Sequence, residues 1–387
     1  MARALYIHWP FCAKKCPYCD FNSYVRERVD AGVWEQALIA DMRAEAAAIG
    51  VTPGEAPLTS IFFGGGTPSL MPPSLAARLL IEAQRLWGFA PDIEITLEAN
   101  PSSVEAANFA ALADAGINRV SLGIQSLEDE TLRWLGRLHS SDEALSALAT
   151  AQRHFDRVNF DLIYALPDQT EEHWARQLTR ALGFGTSHLS LYQLTIEPGT
   201  RFATDVRLGR FEPLDDDAAA TLYDITRELT QGAGRPAYEI SNHARPGEES
   251  RHNLTYWRYQ DYAGIGPGAH GRRTGFATVR HKKPENYLKA VNERGHGISE
   301  QRSLSRDEQV SEALLMGLRL NEGIDLAHCE ARFERGRWSM ISQAALATYA
   351  DLGFVWQRGD RIGIEPKGMP VLNTLIAALV EDSVVEA

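Results

Sequence analysis

Cysteine is nearly missing from this chain: there are four in 387 residues, three of them (Cys12, Cys16 and Cys19) close together and Cys329 more than three hundred positions away. So sparse a set excludes a disulfide framework, and its clustering fits metal binding in a reducing compartment. Positive charge is also short, with 39 Lys and Arg against 51 Asp and Glu for a net −12. That balance excludes a general nucleic-acid binder, because a phosphate backbone demands a cationic surface. No uncharged apolar run reaches the length of a membrane span. The opening residues, MARALYIHWPF, hold no apolar stretch of signal-peptide length, so a cytoplasmic location is expected. No internal repeat of fixed period and no low-complexity tract is present. What is there is ordinary for a globular protein, 44% hydrophobic and 23% charged, and long enough for a large core domain and a smaller one.

Short apolar strand candidates alternate with longer amphipathic stretches. The strands expected are Leu5–Trp9, Ser60–Gly64, Ile93–Glu98, Val120–Gln125, Val158–Tyr164 and His188–Leu194. Helices are expected at Val33–Ile49, Ser74–Trp87, Val104–Ala115, Asp142–His154, Glu172–Leu182 and Asp215–Gln231. This alternation predicts an α/β fold, a parallel sheet covered by helices in the form of a partial (β/α)6 barrel, with chemistry at the C-terminal strand ends. Residues 1–231 form that barrel. Residues 232–300 turn irregular and rich in Gly, His and aromatics, as a connecting or lid region would. Residues 301–387 resume helical periodicity at Ser305–Leu320 and Trp338–Asp351, then give a hairpin with a Gly359-Asp360 turn and a last helix at Met369–Val380. Helices followed by a hairpin suggest a small winged-helix-like C-terminal domain.

The clustered cysteines read C-x3-C-x2-C within IHWPFCAKKCPYCDFN, on a loop after the first strand. Three thiolates on one short loop can each take a different iron of a four-iron cube and leave the fourth iron open, whereas most electron carriers fill every corner with cysteine. Pro10 and Pro17 stiffen this loop, and Phe11 and Tyr18 can shield a cluster. A zinc site, which wants a fourth ligand nearby, and a chance group of packed cysteines are the plainer readings. The motif IFFGGGTPS sets Gly64, Gly65, Gly66 and Thr67 just past the second strand, where glycine lets a cofactor's carboxylate or amino group approach backbone N–H groups. A plain tight turn is the alternative. Glu98 and Gln125 end the third and fourth strands, Asp161 lies on the fifth, and Arg137 follows the fourth. Singly these would be solvated turn residues, but four at one end of a sheet suggest contacts to the hydroxyls and charges of one ligand.

A second concentration of interest is Glu249–Gly271, ESRHNLTYWRYQDYAGIGPGAHG, with His252, His270 and aromatics between them. Imidazole can ligate haem iron and Tyr or Trp faces can stack on a porphyrin, but residue chemistry alone favours a structural histidine among core aromatics. Cys329, in a helical context, reads as a small buried hydrophobe. Asp215–Asp217 reads as an acidic helix start that complements the helix dipole. Arg272-Arg273 and Lys282-Lys283 read as solvated surface.

Together these residues resemble the radical S-adenosylmethionine superfamily and, within it, the oxygen-independent coproporphyrinogen III oxidase-like branch, over nearly the whole length. The resemblance implies a [4Fe–4S] cluster on Cys12, Cys16 and Cys19 whose open iron binds the amino and carboxylate groups of S-adenosylmethionine. It also implies that cluster reduction breaks a carbon–sulfur bond of that cofactor to release a 5′-deoxyadenosyl radical. It places cofactor contacts at Tyr6, Tyr18, Gly65, Gly66, Thr67, Glu98, Gln125, Arg137 and Asp161, with Thr195 and His270 as further alignments whose residue types differ. The oxidases resemble C-x3-C-x2-C-x-C and carry a longer segment before the cluster; here Phe21 stands at the last cysteine's place. Both departures weigh against oxidative decarboxylation of coproporphyrinogen III to protoporphyrinogen IX, a step of porphyrin biosynthesis. Phenylalanine there, with an H-N-x-x-Y-W motif at His252, Asn253, Leu254, Thr255, Tyr256 and Trp257, resembles instead a haem-chaperone group of the same branch. The expectation is a chaperone that holds haem at His252, Tyr256 and Trp257 and delivers it to acceptor haem proteins such as respiratory ones. Under that reading nucleic acid is no partner, membrane contact is at most peripheral, and a homodimer is compatible. The oxidase reaction and a radical methyltransferase are the alternatives, and whether the chain is itself an enzyme stays open.

Overall fold

In the computed structural model, which describes residues 3–273 and 275–380, the alternating segments fold around one eleven-stranded sheet. Numbered along the chain, its strands are β1 Ala4–Trp9, β2 Leu58–Gly65, β3 Phe89–Ala99, β4 Arg119–Gln125, β5 Arg157–Tyr164, β6 His188–Gln193, β7 Asn242–Ala244, β8 Tyr262–Ile265, β9 His270–Arg273, β10 Phe276–Arg280 and β11 Ile298–Ser303. Their spatial order is β11-β10-β9-β8-β1-β2-β3-β4-β5-β6-β7. β8 and β1 to β6 run parallel, β7 closes one edge antiparallel, and β9 to β11 meander antiparallel from the other. The six expected strands are all present and form a partial (β/α)6 barrel.

Helices Ala31–Ile49, Pro73–Trp87, Ser141–His154, Glu171–Leu182 and Asp216–Gly232 connect the strands. The helix expected at Val104–Ala115 is split into Ser103–Ala106 and Phe109–Asp114. Their starts are set locally: the Asp30 carboxylate accepts from the N–H groups of Gly32 and Val33, Ser140 and Glu143 form a capping box, and Asp215 accepts from Ala218. Helix Pro73–Trp87 shows how the faces divide. It buries Leu75, Ala76, Leu79, Leu80, Ala83 and Trp87, and each fully buried large side chain contributes about 1.5–3 kcal/mol.

The segment expected to be a connecting or lid region, residues 232–300, supplies β7 to β10, the start of β11 and the helices Arg251–Trp257 and Pro284–Arg294, extending the barrel sheet. A buried ion network fastens this extension. Arg280, with no solvent exposure, bonds Asp41 at 3.3 Å and Glu45 at 2.5 Å. Asp41 also accepts from the Tyr287 hydroxyl at 3.0 Å and from the N–H groups of Gly266 and Gly297. Arg273, expected at the solvated surface, is buried and pairs with Glu45 at 3.3 Å, while Arg272 pairs with Glu312 at 2.8 Å.

The C-terminal part has its own core, from Val310 to Val380, joined by Tyr223 and Tyr259. Helices Arg306–Gly317, Leu326–Phe333, Gln343–Asp351 and Leu372–Leu379 pack around a three-stranded sheet made by Ile324–Asp325 and the hairpin Val355–Arg358/Arg361–Ile364, a small winged-helix-like unit. Cys329 is buried in this core as a small hydrophobe. Among the described residues no helix is long and apolar enough to cross a membrane.

Candidate functional site

The cluster loop leaves β1 at Trp9. Its ends are tied where Phe11–Cys12 pairs in parallel with Tyr24–Val25, and the Cys19 N–H donates to the Cys16 carbonyl at 3.2 Å. Cys12 is buried and Cys16 and Cys19 are half-buried. Burial raises the thiols of Cys12 and Cys19, a cost that disappears when a metal takes the thiolate. Among the described residues no three His, Cys, Asp or Glu side chains gather as ligands of a single ion would. Thiolates that each hold a different corner of a cube stand farther apart than that.

The glycine motif anchors this loop. The Gly65 N–H donates to Glu98 Oε2 at 3.2 Å, the Gly66 N–H to the Trp9 carbonyl at 2.7 Å and the Thr67 N–H to the Phe11 carbonyl at 2.8 Å. In this structure these N–H groups are engaged by the loop and by Glu98, while Gly65, Gly66 and Thr67 still line the cavity described next. Glycine is needed for the closeness itself. A Cβ at Gly65, where φ is +113°, would stand 2.5 Å from the His8 ring, and one at Gly66 2.7 Å from the Phe11 carbonyl oxygen.

A cavity of about 130 Å³ lies between this loop and the C-terminal strand ends. All three cysteines line it, with Tyr18, Gly65, Gly66, Thr67, Glu98, Gln125, Arg137 and Asp161. Tyr6 does not: its ring packs on Phe62 and His252, and its hydroxyl bonds His8 Nδ1 at 3.0 Å. A second cavity of about 530 Å³ shares Tyr18, Cys19, Phe21, Glu98, Gln125 and Asp161 with the first and adds Thr195. His270 is exposed at the start of β9 and lines neither.

Arg137 reaches over the loop. Its Nη1 lies 3.4 Å from Cys16 Sγ, and its Nη2 donates to Asn100 Oδ1 at 2.5 Å and to the Gly123 carbonyl at 2.8 Å. Asn100, not anticipated from the sequence, also donates to Thr67 Oγ1 at 3.1 Å. The Asn100-Pro101 pair, two residues past Glu98, was its signal. Gln125 ends β4 at φ 71°, a strained conformation for a non-glycine residue, beyond a register irregularity against β5. Among the described residues Gln125 Oε1 and Arg137 Nε are buried without a hydrogen-bond partner. Such orphaned groups suit a ligand.

Glu98 and Asp161, both half-buried, line the same two cavities as an acidic pair. Desolvation, then the charge of Asp161, push the Glu98 carboxyl up to about 8, against the Gly65 N–H. Desolvation lifts Asp161 to about 6, opposed by bonds from Asn159 (2.8 Å) and Ser121 (3.3 Å). Near neutrality one of the two is thus able to donate a hydrogen bond and the other to accept.

The H-N-x-x-Y-W motif folds as helix Arg251–Trp257. His252 is 1% exposed, and both ring nitrogens are engaged, Nδ1 with Ser60 Oγ at 3.1 Å and Nε2 with the Tyr256 hydroxyl at 2.6 Å. Its ring stacks on Phe62 with centroids 5.0 Å apart, and burial pushes its pKa down to about 3. Here His252 is a structural pin in the barrel wall. Tyr256 and Trp257 instead line a cavity of about 430 Å³, which shares Tyr192 and Ser241 with the 530 Å³ cavity.

Comparison with known proteins agrees with this geometry. Residues 6–179 match the radical SAM superfamily and residues 304–371 the HemN C-terminal domain. The chain is 37% identical to the heme chaperone HemW of Haemophilus influenzae across 96% of both chains. It is 43% identical to the mitochondrial radical S-adenosyl methionine domain-containing protein 1 of Mus musculus, over 84% of this chain and 75% of that one. Its fold matches the coproporphyrinogen III oxidase HemN of Escherichia coli with a TM-score of 0.81, covering 97% of this chain and 89% of the other at 23% identity. The chain therefore belongs to the radical SAM superfamily and, inside its coproporphyrinogen III oxidase-like branch, to the HemW family.

Proposed function

We propose that this protein is a cytoplasmic haem chaperone: it accepts haem beside a barrel that holds a [4Fe–4S] cluster and S-adenosylmethionine, and passes the haem to acceptor haem proteins. The observation that carries this reading is a row of three neighbouring cavities that share lining residues, from the cluster loop, past the 530 Å³ space, to the wall made by Tyr256 and Trp257. A flat apolar macrocycle stacks well on such aromatic faces.

The residues present fit both cofactors. Cys12, Cys16 and Cys19 supply three thiolates, among the described residues no fourth Cys and no His lines their cavity, and the orphaned Gln125 Oε1 and Arg137 Nε border it. When bound, the pair supplies one-electron cleavage of the S-adenosylmethionine carbon–sulfur bond. The Arg137 guanidinium, 3.4 Å from Cys16 Sγ, would stabilise the added negative charge of a reduced cluster held there. Glu98 and Asp161 orient hydroxyl and cationic groups of the ligand. Phe21, 59% exposed, sits in the rim shared by the two inner cavities, where it shields them from water without adding a thiol. From residue 301 onward the chain forms, in our division, a unit that closes over the far side of Trp257–Gln260, across a cavity of about 440 Å³.

Ligation of haem iron by His252, whose ring is 1% exposed, requires release of one ring nitrogen, from Ser60 or from the Tyr256 hydroxyl, at about 1 kcal/mol, so Tyr256 and Trp257 make the first contact. Haem titration of the anaerobically reconstituted protein should reach about one haem per chain. Trp257→Ala should weaken binding roughly tenfold through loss of an aromatic contact worth about 1.4 kcal/mol; an unchanged affinity sinks the assignment. The acidic pair and Arg137 around the cavity equally favour the oxidase reading. Anaerobic complementation of a haem-auxotrophic strain separates the two: growth supports the oxidase, no growth the chaperone.

A further inference from the structure

We propose that Arg272 anchors an ionised carboxylate on the rim of the bound tetrapyrrole, in competition with Glu312, an inference that rests on the chaperone reading above. The 430 Å³ cavity beside Tyr256 and Trp257 also has Tyr192, Tyr259, Tyr262 and Arg272 in its wall. Aromatic faces suit the flat macrocycle, but they do nothing for a propionate at its edge. That group needs a cation, and among the described residues Arg272 is the single cation lining this cavity. The one carboxylate there, Glu239, is buried and turned away from a ligand: it accepts from Asn242 Nδ2 at 2.5 Å and from the Ser241 N–H at 3.2 Å. Desolvation raises the Glu239 carboxyl, which favours its neutral form, so it opposes an incoming anion less.

Strand alternation puts Arg272 there. Successive side chains of β9 point to opposite faces: Arg273 meets Glu45 in the buried network, and Arg272 lies on the cavity side, paired with Tyr262 across the β8–β9 ladder. Tyr262 in turn meets the Tyr256 ring edge-on, with centroids 4.5 Å apart. The Arg272 guanidinium carbon stands 5.6 Å from the centroid of the Tyr259 ring, and Nη2 donates to Glu312 Oε1 at 2.8 Å. The Tyr259 hydroxyl donates to Glu312 Oε2 at 2.5 Å, so ring, carboxylate and guanidinium hold one another in place. Among the described residues Glu312 is the one hydrogen-bond partner of Arg272, which leaves most of its five N–H donors for a second acceptor. Glu312 belongs to helix Arg306–Gly317 of the C-terminal unit. A ligand carboxylate entering the cavity therefore meets a cation that is already oriented and competes for it with a carboxylate of that unit.

The test titrates the full chain, reconstituted anaerobically, with haem and with haem dimethyl ester, whose propionates carry no charge, following the visible absorption of the bound macrocycle. The wild type should hold haem about tenfold or more tighter than the ester, the scale of a hydrogen bond to a charged group. Arg272→Gln should bring haem down to the affinity of the ester and leave the ester unmoved, and Arg272→Lys should restore part of the preference. Glu312→Gln removes the competing charge while keeping an acceptor for the Tyr259 hydroxyl, so it should tighten haem and not the ester. The ester reports in every protein whether the cavity is intact, and the wild type and Glu312→Gln carry the test even if Arg272→Gln does not fold. Equal wild-type affinities for haem and ester overturn the proposal and leave the chaperone reading standing. Equal weakening of both ligands in Arg272→Gln also overturns it, marking Arg272 as a support of the Tyr259 wall. A wild type that binds neither ligand overturns the chaperone reading, and the proposal with it.

Discussion

Glu98→Gln should flatten the pH dependence of stability in the metal-free protein. Desolvation and the neighbouring Asp161 hold the Glu98 carboxyl near 8 in the folded chain, against an ordinary 4.5. A raised acid binds its proton more tightly folded than unfolded, so its contribution is complete below 4.5 and is lost as pH climbs through about 8. Between about pH 6 and pH 9 the linked loss is at most about 3 kcal/mol, reduced to the extent that cavity water solvates the carboxylate. Asp161, lifted from 3.8 to about 6, gives up most of its share below that window. Glutamine keeps the size and the acceptor for the Gly65 N–H but cannot ionise. Urea unfolding across the window should show the wild-type free energy declining while that of Glu98→Gln stays nearly level, with m unchanged. Identical slopes for the two proteins would refute the interacting acidic pair. The same linkage predicts that a cationic ligand expels the Glu98 proton on binding, so its affinity should rise with pH in the wild type and not in the variant.

Three further outcomes are expected. Gly66→Ala drives a Cβ toward backbone on both sides of the Pro10–Phe11 peptide, so overpacking should cost about 1–3 kcal/mol and lower iron incorporation; full iron content at wild-type stability contradicts the close approach. Arg280→Met strands the buried carboxylates of Asp41 and Glu45 and should destabilise by about 3–5 kcal/mol in chemical denaturation; a loss under about 1 kcal/mol would show the network to be dispensable. His252→Ala leaves the hydroxyls of Ser60 and Tyr256 unpaired beside a void against Phe62 and should cost about 2–4 kcal/mol, while haem affinity changes less than in Trp257→Ala. The reverse ranking in titration restores His252 as the principal haem contact.

Local patterns were enough for a large share of this protein. Strand-and-helix alternation from Leu5 to Gln231 announced the barrel because each unit buries its own face within some thirty residues. The cysteine loop was legible because all three thiols lie on one short stretch of chain. The strand-end positions of Glu98 and Gln125 followed from the same alternation, and both line the cavity with Asp161 and Arg137. Tyr6, a cofactor contact only the resemblance implied, has its ring turned into the wall against His252 in this structure, an orientation no local pattern encodes. The strands β7 to β11 escaped notice because most are short and several are polar, and the burial of β9 and β10 depends on Arg273 and Arg280 meeting Glu45 and Asp41 from a helix more than two hundred residues earlier.

The sequence by itself determined the donor set, the barrel architecture and the C-terminal hairpin, since spacing and periodicity are properties of neighbours along the chain. Only the tertiary structure decided where hydrogen bonds and charges end up. It spent the glycine N–H groups on the cluster loop, closed His252 between Ser60 and Tyr256, and brought Arg272 of the barrel extension to Glu312 of the C-terminal unit. Those outcomes depend on pairings between distant segments, and a buried polar group takes whichever partner the packing brings within reach.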